Sequence, residues 1–352
     1  MLSHLRLVQT RCFNVIELEL DVTGLTVFTG ANAQGKTSLL EAVCVLLRLQ
    51  SPRTMGLGEL VQVGQDAAAI EGDYAGKRLR VVLGSGRKML VDGKVVGRSC
   101  DYFRESGLVV WMGNDDIQLV RGAADGRRRF LDFAASQLFP DYLESLRAYD
   151  RALRARNFLL KSGEIENRQL HAYAKILVQH GAIVTAGRRA LVDALSVHAN
   201  LAQHEMSDST EMLSLSYEDA SPGGLEVALA ESAAEEKRRR STVVGPHRDD
   251  LGLVLNGRSA TAFASEGQQR TVALALKVAQ ARVLAVARSC WPILLLDDIF
   301  GELDPKRRHR LFSALPQEAQ KLVTTTSLAW LEQEHPKDLR VLRLHQGRLE
   351  HL

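Results

Sequence analysis

The octapeptide Gly30, Ala31, Asn32, Ala33, Gln34, Gly35, Lys36, Thr37 constrains this chain more than any other stretch. It fits G-x-x-x-x-G-K-[ST]. A short apolar run, Leu25–Thr29, precedes it. Leu39, Leu40, Val43, Leu46 and Leu47 follow it at helical spacing. Strand, glycine loop and helix in that order are the context the motif requires. The glycines let backbone N–H groups turn inward around phosphate oxygens, and the helix N-terminus adds positive potential. Lys36 is expected to reach the β and γ phosphates of ATP, and Thr37 to offer its hydroxyl to Mg²⁺. Ser38 completes the phosphate-binding stretch. The rest of the chain is therefore expected to form an α/β fold around this loop.

Two further segments supply what a P-loop lacks. Ile293–Leu296 is an apolar strand that ends in Asp297 and Asp298. Such a strand delivers carboxylates to the sheet edge where α/β folds bind ligands. Asp297 is expected to hold Mg²⁺ through a water, and Asp298, with Lys36, to act on the hydrolysed phosphate by polarising the attacking water. The second segment is Ser265-Glu266-Gly267-Gln268-Gln269-Arg270. Ser265 with Gln268 three residues on reads as a capping box at a helix start. A helix start with a serine hydroxyl and a free glycine amide is also an anion site, which singles out Ser265, Gly267 and Gln268. Its spacing resembles the signature motif of ABC-type ATPases, which binds the γ-phosphate of ATP held by the other subunit.

The 352 residues are 45% hydrophobic with a net charge of +3, so neither membrane insertion nor a strongly acidic or basic partner follows from bulk composition. Cys12, Cys44, Cys100 and Cys290 form no C-x-x-C pair, which excludes a zinc or redox motif and suits a reducing compartment. The N-terminus lacks the apolar run of a signal peptide, and no run is long enough to span a bilayer. A cytoplasmic protein is expected. Val15–Leu20 alternates as a half-buried strand, and Asp92-Gly93 and Asn256-Gly257 mark hairpins. The second hairpin is expected to join Leu251–Leu255 to Ser259–Phe263. Helix formers dominate from Arg127 to about Glu205, without sustained heptads. Ser207–Gly224 reads as a loop, Glu226–Arg240 as one helix and Glu266–Arg288 as a long one. The implied layout is an α/β lobe over 1–118 and 289–352, interrupted by a mostly helical lobe over 119–288 that carries the signature.

The motifs together resemble the bacterial RecF family. The resemblance rests on the P-loop with Ser38-Leu39-Leu40-Glu41, on Gly245-Pro246-His247-Arg248-Asp249-Asp250, on Glu266–Thr271, and on Leu295–Phe300 followed by Gly301-Glu302-Leu303-Asp304. It implies an ABC-ATPase or SMC-head-like P-loop domain without the long coiled coil. It also implies an ATP-dependent homodimer with weak, slow, DNA-stimulated hydrolysis. The partners implied are double-stranded and gapped DNA, RecR and RecO, in repair and replication restart through loading of the RecA recombinase. Asp304 would then belong to the D-loop near the dimer interface, although a turn and N-cap before Pro305 explains it as well. Thr324–Ser327 stands where transporters carry a switch histidine, and the Q-loop glutamine falls in Asn114–Gln118 without a firm position. His247 and Arg248 could face phosphate or form only a charged turn. Arg127–Arg129 and Lys237–Arg240 could contact DNA or line solvated helix faces. The alternatives are the ATP-binding subunit of an ABC membrane transporter and a small-molecule kinase.

Overall fold

A computed structural model describes residues 1–54, 56–162, 167–207, 211–334, 336 and 338–351. The chain divides into two compact units, Met1–Asp116 with Glu205–Ser207 and Lys277–Leu352, and Ile117–His204 with Asp208–Leu276.

The first unit is built on two six-stranded sheets. In one, the spatial order is Arg348–His351, Leu339–His345, Leu25–Thr29, Lys321–Thr325, Ile293–Asp297, Val109–Gly113. All neighbours are parallel except the outer hairpin Leu339–His345 with Arg348–His351. Leu25–Thr29 and Lys321–Thr325 are buried along their whole length. That is why Leu25–Thr29 reads as a short apolar run rather than an alternation. Register then aligns the strand ends: Thr29 lies beside Thr325, Thr324 beside Asp297, and Asp297 beside Gly113. The C-terminal edge therefore gathers the P-loop and the acidic strand end.

The other sheet is antiparallel, in the order Phe13–Glu19, Leu2–Thr10, Ala68–Tyr74, Lys77–Leu83, Arg87–Val91, Lys94–Val96. Here one face is buried and the other wet, and the sequence alternates accordingly: Phe13, Ile16 and Leu18 are buried while Val15, Glu17 and Glu19 are exposed. Asp92-Gly93 turns the last hairpin as expected, with Val91 opposite Lys94.

The second unit pairs helices Ala124–Leu138, Tyr142–Ser162 and Asn167–Met206 with a three-stranded sheet, Arg258–Ser259, Asp250–Leu255, Leu213–Glu218. The 40-residue helix is roughly 60 Å long at ~1.5 Å per residue. Leu177 on it is fully buried against Tyr149 and Ala152 of the preceding helix. Three elements differ from the sequence reading. Leu213–Glu218, inside the expected loop, is a strand: Leu213 and Leu215 oppose Leu255 and Leu253, a pairing that local polarity conceals. Residues 208–210 of that loop lie outside the described residues. After Asn256-Gly257 the returning strand is only Arg258–Ser259, and Ala260–Phe263 is a helical turn. Glu226–Arg240 is two short helices, Leu225–Glu231 and Ala233–Arg239, broken at Ser232. Across that break Glu236 turns inward to meet the buried Arg156 at 2.6 Å.

Candidate nucleotide-binding site

The P-loop bends where glycine is required. Gly35 has φ 98°, and a Cβ there would lie 2.5 Å from Cys12 Sγ and 2.6 Å from the Phe13 ring. A Cβ on Gly30 would strike the Leu344 carbonyl oxygen. Helix Lys36–Arg48 begins at once and carries no acidic residue in its first turn, which leaves its positive end free for an anion. Around it opens a cavity of about 550 Å³ whose lining includes Asn32, Ala33, Gly35, Lys36, Thr37 and Ser38 together with Asp298 and Thr324. Those residues come from three separate stretches of chain in the first unit, joined by the strand register. Ala31 and Gln34 bond within the protein: Ala31 offers its carbonyl to Lys36, and Gln34 Oε1 accepts from Gln346 N at 2.7 Å.

Lys36 is almost fully buried, and its Nζ donates to the carbonyls of Gly30 at 2.6 Å and Ala31 at 2.9 Å. Burial lowers its pKa, while Asp298 and Asp297 oppose that shift. A desolvated ammonium folded onto its own loop is a donor that phosphate oxygens can capture.

The two aspartates differ in environment. Asp297 Oδ1 accepts from Thr37 Oγ1 at 2.8 Å and Thr324 Oγ1 at 2.7 Å. Asp298 has φ 51°, an uncommon conformation for a residue with a side chain, held by its N–H donating to the Thr324 hydroxyl at 3.0 Å. Asp298 Oδ1 is buried with no hydrogen-bond partner among the described residues. Burial raises the Asp298 carboxyl, Lys36 opposes the rise and Asp297 adds to it. An orphaned acceptor beside a captive ammonium fits a triphosphate with its water, and Thr37 with Asp297 fits a divalent cation. No group of three or more His, Cys, Asp or Glu able to hold a metal occurs among the described residues. A cation here would depend on phosphates and water for its remaining ligands.

Sequence reasoning passed over Thr324, noticed only as the place of a missing histidine. It also passed over Arg11 and Arg53, which line the same cavity. Both converge on the fully buried Glu41: Arg11 in a two-bond fork at 2.9 and 2.7 Å, Arg53 at 3.3 Å. Arg53 lies in Ser51-Pro52-Arg53-Thr54, a stretch that also resembles the RecF family, whereas Arg11 belongs to no motif. In the Q-loop region Asn114 Nδ2 donates to the Asp298 carbonyl at 3.4 Å, whereas Gln118 is an exposed residue of the second unit. Asp304 caps helix Pro305–Ala314 by accepting from Arg307 N.

In the second unit, Ser265 and Gln268 form the reciprocal cap: Ser265 N donates to Gln268 Oε1 at 2.9 Å and Gln268 N to Ser265 Oγ at 3.3 Å. Ser265 is exposed and Gly267 half-buried at the helix start. Gly245–Asp250 forms a lock. His247 Nε2 donates to the Thr242 carbonyl at 3.0 Å, so Nδ1 accepts from Tyr149 Oη at 2.7 Å. Asp249 accepts from Tyr217 Oη and from Ala220 N, and Pro246 O accepts from the buried Arg188 at 2.6 Å. His247 is thus a packing residue, while Arg248 is exposed. Arg127 also leaves the list of DNA candidates, because it is buried in a fork on Asp250 at 2.6 and 2.7 Å. Arg129 and Lys237–Arg240 remain exposed, with Arg129 paired to Asp125 and Arg239 to Glu235.

A family model described as an AAA domain matches residues 4–81. The DNA replication and repair protein RecF of Symbiobacterium thermophilum is 38% identical over 343 residues, which cover 92% of this chain and 91% of that protein. The one from Geobacillus thermodenitrificans is 31% identical over 98% of both chains. The chain belongs to the RecF family. A solved RecF–ATP structure, described as a recombination mediator in the RecFOR pathway, superposes with a TM-score of 0.89 at 26% identity over all of this chain and 97% of its own. An Smc head bound to the C-terminal winged-helix domain of ScpA matches with a TM-score of 0.57 at 13% identity, which concerns fold alone. RecF membership over nearly the whole length sets aside the transporter and kinase alternatives and establishes the expected SMC-head-like α/β fold. Among the described residues no helix is long and apolar enough to cross a membrane.

Proposed function

We propose that this chain is an ATP-operated DNA clamp of replication and repair. ATP occupies the loop Gly30–Ser38, with Lys36 on the β and γ phosphates and Mg²⁺ between Thr37 and Asp297. Asp298 orients the attacking water, and its buried, unsatisfied Oδ1 beside Lys36 supports that role. Hydrolysis is slow, since Asp298 stands where many ABC-type ATPases carry a glutamate.

The observation that carries the dimer is the helix start at Ser265. Its hydroxyl accepts from Gln268 N on an exposed residue, which leaves its own proton free to donate to an incoming anion. In a two-fold dimer, Ser265 and Gly267 of each copy meet the γ-phosphate held by the other, and two nucleotides are enclosed. ATP then favours the dimer only through contacts that exist in it. The closed pair holds double-stranded DNA at gaps, in the cytoplasm, and RecR and RecO join it there to load the recombinase. The RecF structure solved with ATP supports the nucleotide, and the name RecFOR supports that setting.

Ser265→Arg tests this reading. The variant should bind ATP as the parent chain does and remain monomeric in sedimentation with ATP and DNA present. Normal ATP-dependent dimers would rule out the trans contact.

A further inference from the structure

Behind the exposed helix start at Ser265 stands a carboxylate that no motif contains. Glu211 lies just before the strand Leu213–Glu218. Its Oε1 accepts from Gln268 Nε2 at 2.8 Å, and its Oε2 accepts from Gln203 Nε2 at 2.7 Å. Gln203 is fully buried on the 40-residue helix. The backbone after Glu211 is pinned on both sides. Met212 N donates to Asn256 Oδ1 at 2.8 Å, and Leu213 N donates to Asn200 Oδ1 at 3.1 Å. Glu211 therefore stands on a rigid base within the second unit.

An ionised carboxylate only accepts hydrogen bonds. It holds the nitrogen of the Gln268 amide toward itself, and so turns Gln268 Oε1 toward Ser265 N. The reversed amide would set two donors against each other at Ser265 and two oxygens against each other at Glu211. With the amide fixed, the cap closes, Ser265 is held at the helix start, and its hydroxyl proton stays free to donate. We propose that Glu211 is a positioning residue for the nucleotide contact made across the dimer: it orients Gln268 so that Ser265 presents its hydroxyl as a donor. This inference rests on the reading of Ser265 given above.

The same geometry separates two substitutions of similar size. The amide introduced by Glu211→Gln can turn its oxygen to Gln268 Nε2 and its nitrogen to Gln203. Gln203 Oε1, buried and without a partner among the described residues, becomes the acceptor when that amide flips. Glu211→Lys offers only a donor and drives the Gln268 amide round.

The test is sedimentation velocity with ATP, alongside binding of a fluorescent ATP analogue to the monomer and thermal melting of each variant. Glu211→Lys should weaken the ATP-dependent dimer about tenfold or more, as loss of one charged hydrogen bond per site implies. Glu211→Gln should stay within about twofold, and analogue binding should be unchanged in both. Dimerisation of Glu211→Lys at the parent level, or Glu211→Gln as weak as Glu211→Lys, overturns the assignment. If Glu211→Lys does not melt cooperatively, Glu211→Ala, which removes both acceptors without adding a donor, is judged against Glu211→Gln in the same way. A parent chain that forms no dimer with ATP, or Ser265→Arg that dimerises normally, removes the trans reading itself. The Glu211 variants by themselves leave that reading standing.

Discussion

Replacing Arg188 with methionine should lower the stability of the second unit. Arg188 is 3% exposed, and its guanidinium donates to Asp132 Oδ1 at 2.8 Å, Asp132 Oδ2 at 2.9 Å and the Pro246 carbonyl at 2.6 Å. Asp249, 1% exposed, lies 3.9 Å away. Burial is the largest influence and opposes the cation, but Asp132, Tyr142 and Tyr217 together hold the Arg188 pKa above its usual value. Methionine keeps the aliphatic volume and removes every donor. An uncompensated buried charge costs about 3–5 kcal/mol. Asp132 retains 19% exposure and the Tyr142 hydroxyl, and Asp249 keeps its donors from Tyr217 and Ala220. The expected loss is therefore at the lower end, about 3 kcal/mol. Asp132→Leu in the same chain should return about 2 kcal/mol of it, since the pair is then replaced by apolar volume. Urea unfolding gives a clean readout because Trp111, Trp291 and Trp330 all lie in the first unit. Circular dichroism follows the helices, and tryptophan emission follows the first unit. The dichroism midpoint should fall, with the emission midpoint moving less. A loss below about 1 kcal/mol, the size of an exposed ion pair, would refute the claim that Gly245–Asp250 is a structural lock.

Three other outcomes follow from neighbouring geometry. Gly245→Ala places a Cβ 2.6 Å from Tyr149 Oη at φ 114° and should cost about 2–3 kcal/mol, read as a lower melting temperature; an unchanged melt would show that the loop relaxes freely. Burial, aided by Arg248, Arg128 and Arg188 and opposed by the Thr242 contact, lowers His247 to about 4 from 6.5. The unfolded chain then takes up that proton first, so this stability is complete above about pH 6.5 and is lost as pH falls toward 4, amounting to a few kcal/mol. His247→Gln should flatten that slope in pH-dependent unfolding, and an unaltered slope would assign the effect to other groups. Thr324→Val removes the hydroxyl shared by Asp297 and Asp298 N, and should lower Mg²⁺-dependent hydrolysis about tenfold. ATP binding in EDTA should stay within about twofold, and an equal loss of both would mean that Thr324 acts on nucleotide rather than on the cation and water.

Several parts of this protein were legible because their physics is local. A P-loop is eight successive residues whose backbone makes the site, so its order in the chain is its geometry. The Ser265–Gln268 cap spans one helical turn, and Asp92-Gly93 dictates its turn through the conformations those two residues adopt. The buried strands Leu25–Thr29 and Ile293–Asp297 announced themselves as apolar runs.

What the chain could not reveal is what depends on pairing across long separations. Gly245-Pro246-His247-Arg248-Asp249-Asp250 looks like a charged loop fit for phosphate, and Arg127–Arg129 looks like a basic patch. Folding buries Arg127 against Asp250 and sets Asp249 beside Arg188, so the charges answer one another instead of a ligand. Leu213–Glu218 becomes a strand only because Asp250–Leu255 lies beside it. Thr324 enters the site because Lys321–Thr325 takes the place between Leu25–Thr29 and Ile293–Asp297. A side chain's type and neighbours in sequence set what it can bind; which partner reaches it first is settled by the register of strands hundreds of residues apart, and that is a property of the fold.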